Sequence, residues 1–403
     1  MAIPVSVLSV LRALAEKVRV GCDNTGAAGK TGPVITAADD YPLHQSSRPL
    51  RDPGTDKNLY DRFFFCGYPT GDAFGETYFA VAFGQYPGRN VMDGAFSLLR
   101  NGVQRNVRGS RLLGHDRLDL HAGPMTIEIV VPLRQLRVKV DAPEAGITAD
   151  LLFTSRGPAF EEPRYRFAAG HLTTFDITRL TQNGTWAGWI EVDGERTAVE
   201  PAFWRGTRDR SWGIRGVGNR EPNPAPDGIP AFYWLWAPLN FDDMNVLFDV
   251  NETPTGARWH ENAQLAPVGE DPEALATRVE KGTHTYEITW KPGTRHSTAF
   301  DMALTTECGT TAIHLDVIDT FFMPGIGYGH PIWGHGMYVG PDERTHDSFV
   351  TAEVSEADLA WQHVQHLVRA TRVDGAVGYG LLEMLIHGPH APSGFIGHTD
   401  MRA

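Results

Sequence analysis

The chain has 403 residues, 41% hydrophobic and 21% charged, a globular composition with no apolar run near the ~20 residues that span a bilayer as a helix. Its 36 basic against 49 acidic residues leave a net charge of -13, which argues against nucleic acid or an anionic membrane surface as the main partner and favours a neutral or apolar ligand. Cys22, Cys66 and Cys308 are too few and too far apart for a disulfide framework or a thiolate metal site, and the N terminus has no basic n-region or clear cleavage site, so a reducing, cytoplasmic setting is expected.

Val7, Leu8, Leu11, Leu14, Ala15 and Val18 recur at helical spacing and predict one short amphipathic N-terminal helix. A connecting arm rich in Gly, Thr, Asp and Pro follows to residue 56. From residue 57 the texture becomes short β-branched and aromatic runs between turn residues, with strands expected over 62–66, 77–83, 95–100, 125–131, 135–140 and 147–154. Asn183-Gly184 and Asp193-Gly194 read as hairpin turns. The plan then repeats: Phe232-Tyr233-Trp234-Leu235-Trp236 answers Arg62-Phe63-Phe64-Phe65, and Asp374-Gly375 answers Asp193-Gly194. The chain therefore reads as mostly β, with an arm over 1–56 and two similar β domains over 57–207 and 208–403.

The second domain opens on Arg208-Asp209-Arg210-Ser211-Trp212-Gly213-Ile214-Arg215. On a strand, Asp209, Ser211 and Gly213 face one side and Arg208, Arg210 and Trp212 the other, so whichever side is buried must partner a polar group. One reading is an Asp/Arg clamp between domains; the other is a functional site.

With the Asp-Gly hairpin before it and Leu382-Glu383-Met384-Leu385-Ile386-His387-Gly388-Pro389-His390 near the end, this motif resembles the superfamily that includes carotenoid 1,2-hydratase and the AttH-like proteins, over roughly residues 60 to 390. The resemblance implies two tandem lipocalin-like antiparallel β-barrels with a ligand cavity in or between them, and chemistry such as hydration or ring closure on hydrophobic polyenes. Asp209, Trp212 and Gly213 match the hydratase pattern Asp-His-x-Trp-Gly, with Arg210 in place of its histidine. Where the hydratase carries a Tyr-x-Asp pair this chain has Trp234-Leu235-Trp236, so the carotenoid reaction itself does not transfer.

Hydrating or dehydrating an apolar substrate needs a proton donor, a base for water and aromatic faces beside a developing cation. Asp209, among three arginines, is expected to stay ionised and to suit a base or an anchor. The segment Gly327-Tyr328-Gly329-His330-Pro331-Ile332-Trp333-Gly334-His335-Gly336-Met337-Tyr338 offers His330 and His335 on a backbone that glycine lets approach a ligand closely. Glu383 shares a strand face with Leu381 and Leu385; if buried its pKa rises and it serves as an acid, and otherwise it pairs with Arg369 or Arg372. Tyr78, beside Tyr68 and Glu76, completes the catalytic candidates.

Arg210, Trp212, Arg215, Tyr233, Trp236, Trp333 and Tyr338 are the expected substrate-binding residues. No metal is expected, because the spacings of His330, His335, His387 and His390 match no metal motif; no cofactor is expected, because neither a dinucleotide fingerprint nor a P-loop occurs. Two functions remain: a cofactor-independent hydratase, dehydratase or isomerase acting on an isoprenoid, steroid or prenylated aromatic, or a non-catalytic carrier of such a molecule.

Overall fold

The structure is a computed structural model that describes residues 40–41, 56–114, 116–169, 172–218 and 231–402; the expected N-terminal helix and most of the arm lie outside them. In chain order the first strands are β1 (Leu59–Pro69), β2 (Thr77–Tyr86), β3 (Val91–Arg100), β4 (Val103–Leu112), β5 (His121–Ala122), β6 (Met125–Val131) and β7 (Gln135–Ala142). There follow β8 (Ile147–Ser155), β9 (Phe160–Glu161), β10 (Tyr165–Ala169), β11 (Leu172–Val192), β12 (Glu195–Val199) and β13 (Trp204–Ile214). The later strands are β14 (Phe232–Asn240), β15 (Met244–Glu252), β16 (Arg258–Pro267), β17 (Glu280–Trp290), β18 (Ser297–Thr306), β19 (Gly309–Phe322), β20 (Asp342–Val350), β21 (Val364–Arg372) and β22 (Val377–His387).

The fold is mostly β and forms two tandem antiparallel barrels of lipocalin-like kind. The first follows the order β20-β4-β3-β2-β1-β13-β11-β8-β7-β6-β5 and is nearly closed. Its two sides approach where Gly109 of β4, the strand next to the β20 edge, packs on Gly123 beyond β5, so closely that a Cβ on either would overlap the other's backbone. The second is a closed barrel of β14-β15-β16-β17-β18-β19-β21-β22, and closure removes the exposed strand edges.

Burial explains why β1 and β14 read as almost unbroken apolar runs. In β8 the pattern alternates, with Ile147, Ala149, Leu151 and Phe153 inward. In β1 and β14 nearly every residue is buried, because the outer face of each strand is covered by the other barrel. Three apolar clusters result: one inside the first barrel around Phe65, Phe79, Phe153 and Trp186, one inside the second around Phe248, Phe300 and Leu315, and one in the seam between them. The seam holds Tyr60, Phe64, Cys66 and Tyr78 against Trp234, Trp236, Leu367 and Leu381; each large side chain removed from water there stabilises the pairing by about 1.5–3 kcal/mol.

Some turn expectations change. Asp193-Gly194 is the β11–β12 turn, with φ of 51° and 84°, and Asp374-Gly375 joins β21 to β22. Asn183-Gly184, however, lies in the middle of β11. Its glycine is needed because the Phe153 ring and the Thr154 carbonyl occupy the place of a Cβ, while Asn183 donates to the Leu239 carbonyl and accepts from Thr207 Oγ1. Strand β13 crosses the boundary expected at 207/208 and stays with the first sheet, paired with β1 and β11. Later, the chain leaves the second barrel after β19, lays β20 against β4 on the first sheet, and returns to the second barrel as β21. Cys66 is a free buried thiol, and Cys308 is disulfide-bonded, against the expectation of no disulfide. Among the described residues no helix is long and apolar enough to cross a membrane.

Candidate active site

Strand register places a row of polar residues across the seam face of the first barrel. Arg179 of β11 lies opposite Ser211 of β13, Ser211 opposite Arg62 of β1, Arg62 opposite Gly84 of β2, and Gly84 opposite Asp93 of β3. The next row holds Thr181, Asp209, Phe64, Ala82 and Ala95 in the same order. Small residues at Gly84, Ser211, Ala82 and Ala95 let side chains of the crossover and of the second barrel pack close to the sheet. Tyr86 folds over Gly84, and its hydroxyl donates to Asp93 Oδ1 at 3.2 Å.

The second barrel presents a matching set. Glu383 of β22 stands in register between Trp236 of β14 and Gln365 of β21. Trp234 Nε1 donates to Glu383 Oε1 at 3.1 Å, Gln365 Nε2 donates to Oε2 at 2.6 Å, and His363 Nε2 lies 2.9 Å from Oε1. Tyr78 of the first barrel donates to Gln365 Oε1 at 2.5 Å, which ties the network across the seam. The Phe64 and Trp236 rings meet edge to face, 6.1 Å between centroids.

Between the two sets runs the glycine-rich crossover from β19 to β20. The Tyr328 ring lies edge to face against His363 (4.5 Å) and His335 (4.8 Å), with the Arg62 guanidinium 4.7 Å from its centroid. Gly336 N–H donates to Asp93 Oδ2 at 2.6 Å, and His335 Nδ1 lies 3.8 Å from Asp93 Oδ1. Gly327 and Gly336 have φ of 100° and 73°, which permits the sharp path that places Tyr328 and His335 here.

The acids of the seam differ in ionisation. Burial raises the Asp209 carboxyl above the ordinary carboxylate range; Arg179, Arg62 and Arg215 oppose this, and the Glu383 charge reinforces it. The expectation that its arginines hold Asp209 ionised is thus corrected, since desolvation is the larger effect. Asp209 is also only partly buried, and among the described residues none donates a hydrogen bond to its carboxylate. Burial lifts Asp93 to about 7 in spite of the Gly336 N–H and Arg62. Burial would raise Glu383 too, but the hydrogen bonds from His363 and Gln365 outweigh it and hold the group below its usual range. Glu383 is therefore buried but ionised, paired with neither Arg369 nor Arg372, and not the raised acid expected of it. Burial, with Arg62 and Arg215, pushes His335 well below the usual histidine value, so its ring is neutral. The Cys66 thiol, pushed by burial up to about 12, is inert at neutral pH.

The other expected residues scatter. Arg215 reaches the site, 4.9 Å from the Tyr60 ring centroid and 5.7 Å from that of Tyr328. Arg210 points into the first barrel, where it pairs with Asp61 and donates to the Arg62 carbonyl at 3.0 Å. Arg208 lies beside it and binds Asp40 of the arm at 2.6 Å. The Asp/Arg clamp between domains weighed for this motif is not what forms: Arg208 and Arg210 pair with Asp40 and Asp61 within the first barrel, with Trp212 against Arg210 on the face away from the seam. His330 accepts backbone N–H groups from Ile332 and Trp333, which fixes its own loop. Trp333 and His335 border a small recess with Asp93 and Arg108, while Tyr338 is 60% exposed. Tyr233 faces the interior of the second barrel, stacked on His390.

Arg62, Asp93, Arg179 and His363 did not stand out in the sequence. Asp93 precedes a glycine and reads as turn; the other three are single polar residues in or beside strands, marked only by the register of neighbouring chains.

A second polar cluster joins the barrels next to the site. The Tyr165 hydroxyl lies 2.8 Å from Glu162 Oε2 and 3.1 Å from Asp249 Oδ1, which share its one proton, His260 Nε2 contacts Asp249 Oδ1 (2.5 Å), and Arg179 Nε donates to Glu162 Oε2 (2.6 Å). Glu162, Asp249 and His260 lie close enough together to hold a metal ion. Their oxygens are already taken by Thr181, Tyr165, Asn262 and Arg179, and a cation at Glu162 repels a metal, so the cluster does not fit one. It is a hydrogen-bonded link from β10 and β11 to β15 and β16.

Fold and site together define a double-barrel protein with an acid-bearing seam. The chain belongs to the family of unknown function DUF8625, whose model matches residues 35–396. No curated protein matches the sequence. Among solved structures, an AttH protein from Nitrosomonas europaea is similar at 14% identity, covering 85% of this chain and 98% of that one with a TM-score of 0.49. Kievitone hydratase from Nectria haematococca is similar at 13% identity, over 84% and 92%, with a TM-score of 0.46. CghA with Sch210972 is similar at 12%, over 82% and 89%, with a TM-score of 0.47. At these identities and scores the likenesses carry no reaction or substrate over to this chain.

Proposed function

We propose that the protein is a cofactor-independent acid–base enzyme that hydrates, dehydrates or isomerises a hydrophobic substrate in the seam between its barrels. The observation that carries this reading is Asp209: a carboxyl raised by burial, with no hydrogen-bond donor among the described residues, partly accessible, beside aromatic walls and within electrostatic reach of the ionised Glu383. A plain core or clamp residue would be bonded and closed off, as Arg210 and Asp61 are.

In the dehydration direction Asp209 is the proton donor. It protonates the departing hydroxyl, which leaves as water, while the Glu383–His363 pair takes the proton from the neighbouring carbon and the electrons of that C–H bond form the double bond. Hydration runs the same steps in reverse, and isomerisation returns the proton to a different carbon. Phe64, Trp234 and Trp236 give the apolar wall and, for a cationic intermediate, ring faces that stabilise charge. Phrased by substrate, an isoprenoid, a steroid or a prenylated aromatic fits such a wall.

The test is native mass spectrometry of the protein purified from its host, identification of the small molecule that travels with it, and incubation of that molecule in heavy-oxygen water. Gain of labelled oxygen, or formation of an isomer resolved by chromatography, supports the enzyme. A molecule recovered unchanged points to a carrier and overturns the proposal.

A further inference from the structure

Arg62 is 2% exposed, yet its Nε, Nη1 and Nη2 atoms have no hydrogen-bond partner. Burying a guanidinium in this way is unfavourable unless something accepts from it. Asp209 and Asp93 reach it electrostatically but accept no hydrogen bond from it, and Asp93 is already taken by Tyr86 and Gly336. Its close neighbour is the face of Tyr328. Arg215 approaches the same ring from its own side and has no carboxylate ion pair among the described residues. His335 Nε2, also buried, has no hydrogen-bond partner either. Two cations and a ring nitrogen thus surround the Tyr328 ring, and among the described residues none accepts a hydrogen bond from either guanidinium.

We propose that Arg62 and Arg215 form a subsite for an anionic oxygen of the substrate, so that the hydrophobic molecule handled in the seam carries a carboxylate or an ionised enol. This rests on the reading of the seam as the active site. The planar fork of a guanidinium matches the two oxygens of a carboxylate or a 1,3-dicarbonyl enolate, and stacking on tyrosine leaves its N–H edges free to donate. Access is on the side of Tyr328, the partly exposed ring that covers Arg62. Bound there, the anion fixes the orientation of the apolar skeleton relative to Asp209 and Glu383.

The test uses two fluorescent probes with one aromatic frame, 8-anilino-1-naphthalenesulfonate and the neutral N-phenyl-1-naphthylamine, titrated into the wild-type protein and into Arg62→Met, Arg215→Gln and Arg166→Gln. The last removes an exposed arginine of β10 as a surface control. The wild type and Arg166→Gln are expected to prefer the sulfonate, and Arg62→Met and Arg215→Gln to weaken it about 10- to 100-fold while the neutral probe changes less than about twofold. Should Arg62→Met fail to fold, the partly exposed Arg215 carries the test. Equal binding of both probes to the wild type, or sulfonate binding unchanged in Arg215→Gln, overturns the subsite and leaves the proposed function standing. Binding of neither probe overturns both.

Discussion

Asp93 is set on β3 opposite Gly84, with Tyr86, Gly336, His335 and Arg62 around it, and burial lifts it to about 7 from an ordinary 3.8. A folded-state value above the unfolded one means that the folded protein holds its proton longer. The stabilising contribution is complete below about pH 4 and is lost as pH rises to about 7. Asp93→Asn removes this dependence while keeping an acceptor for Gly336. Thermal melts at pH 4 to 8 are expected to show wild type losing on the order of 4 kcal/mol relative to the variant over that interval; parallel curves would contradict the placement of Asp93. Glu383 behaves oppositely, its folded value being held down. It stabilises above its unfolded value of 4.5, and that contribution fades as pH falls through the lower folded value. Glu383→Gln is expected to lower turnover by about 10²–10⁴ while ligand affinity changes little, as steady-state kinetics and titration would show.

Among the elements, the crossover from β19 to β20 sets the site most directly. Gln104 grips its start by accepting from Phe322 N–H and donating to the Phe322 carbonyl, and Arg108 donates to the Pro324 carbonyl. Gly325 packs so tightly on Gln104, Asn106 and Ser97 that a Cβ has no room. Gly325→Ala should therefore push the segment off the sheet, moving Tyr328 and His335, at a cost of about 1–3 kcal/mol. The loss of activity should exceed what the lowered melting temperature explains; unchanged activity would show that the crossover does not build the site. The same scale shows what the sequence could carry. Asp193-Gly194 was legible as a turn because positive φ at both positions leaves few other uses for that pair. Asn183-Gly184 was not, since there the glycine answers to the Phe153 ring across the sheet. The row Arg179, Ser211, Arg62, Gly84, Asp93 exists only through register between strands far apart in the chain, so no local pattern could announce it. Asp209 and Glu383 drew attention in the sequence because each is a carboxylate set among arginines or leucines on its own strand.

For the whole molecule, the two barrels are tied in three ways: the aromatic seam, the cluster of Glu162, Arg179, Asp249 and His260, and strand β20, which the second half of the chain contributes to the first sheet. The first and third follow from burial and topology, and the resemblance read in the sequence foresaw the paired barrels but not the shared strand. Such interlocking predicts one cooperative unfolding transition in urea, monitored by tryptophan fluorescence and circular dichroism together. Arg179→Met, which strands the buried Glu162 charge, should lower its midpoint by the equivalent of about 3–5 kcal/mol. Two separated transitions in wild type would contradict the account. The central claim is that Asp209 moves a proton to and from the substrate oxygen in the seam, and exchange of that oxygen with heavy-oxygen water in the co-purified molecule, compared between wild type and Asp209→Asn, tests it most directly. The account predicts labelled oxygen in the molecule handled by wild type, loss of about 10²–10⁴ in rate for Asp209→Asn, and retained affinity in the variant. Equal label in both proteins, or none in wild type with the ligand bound, would contradict it.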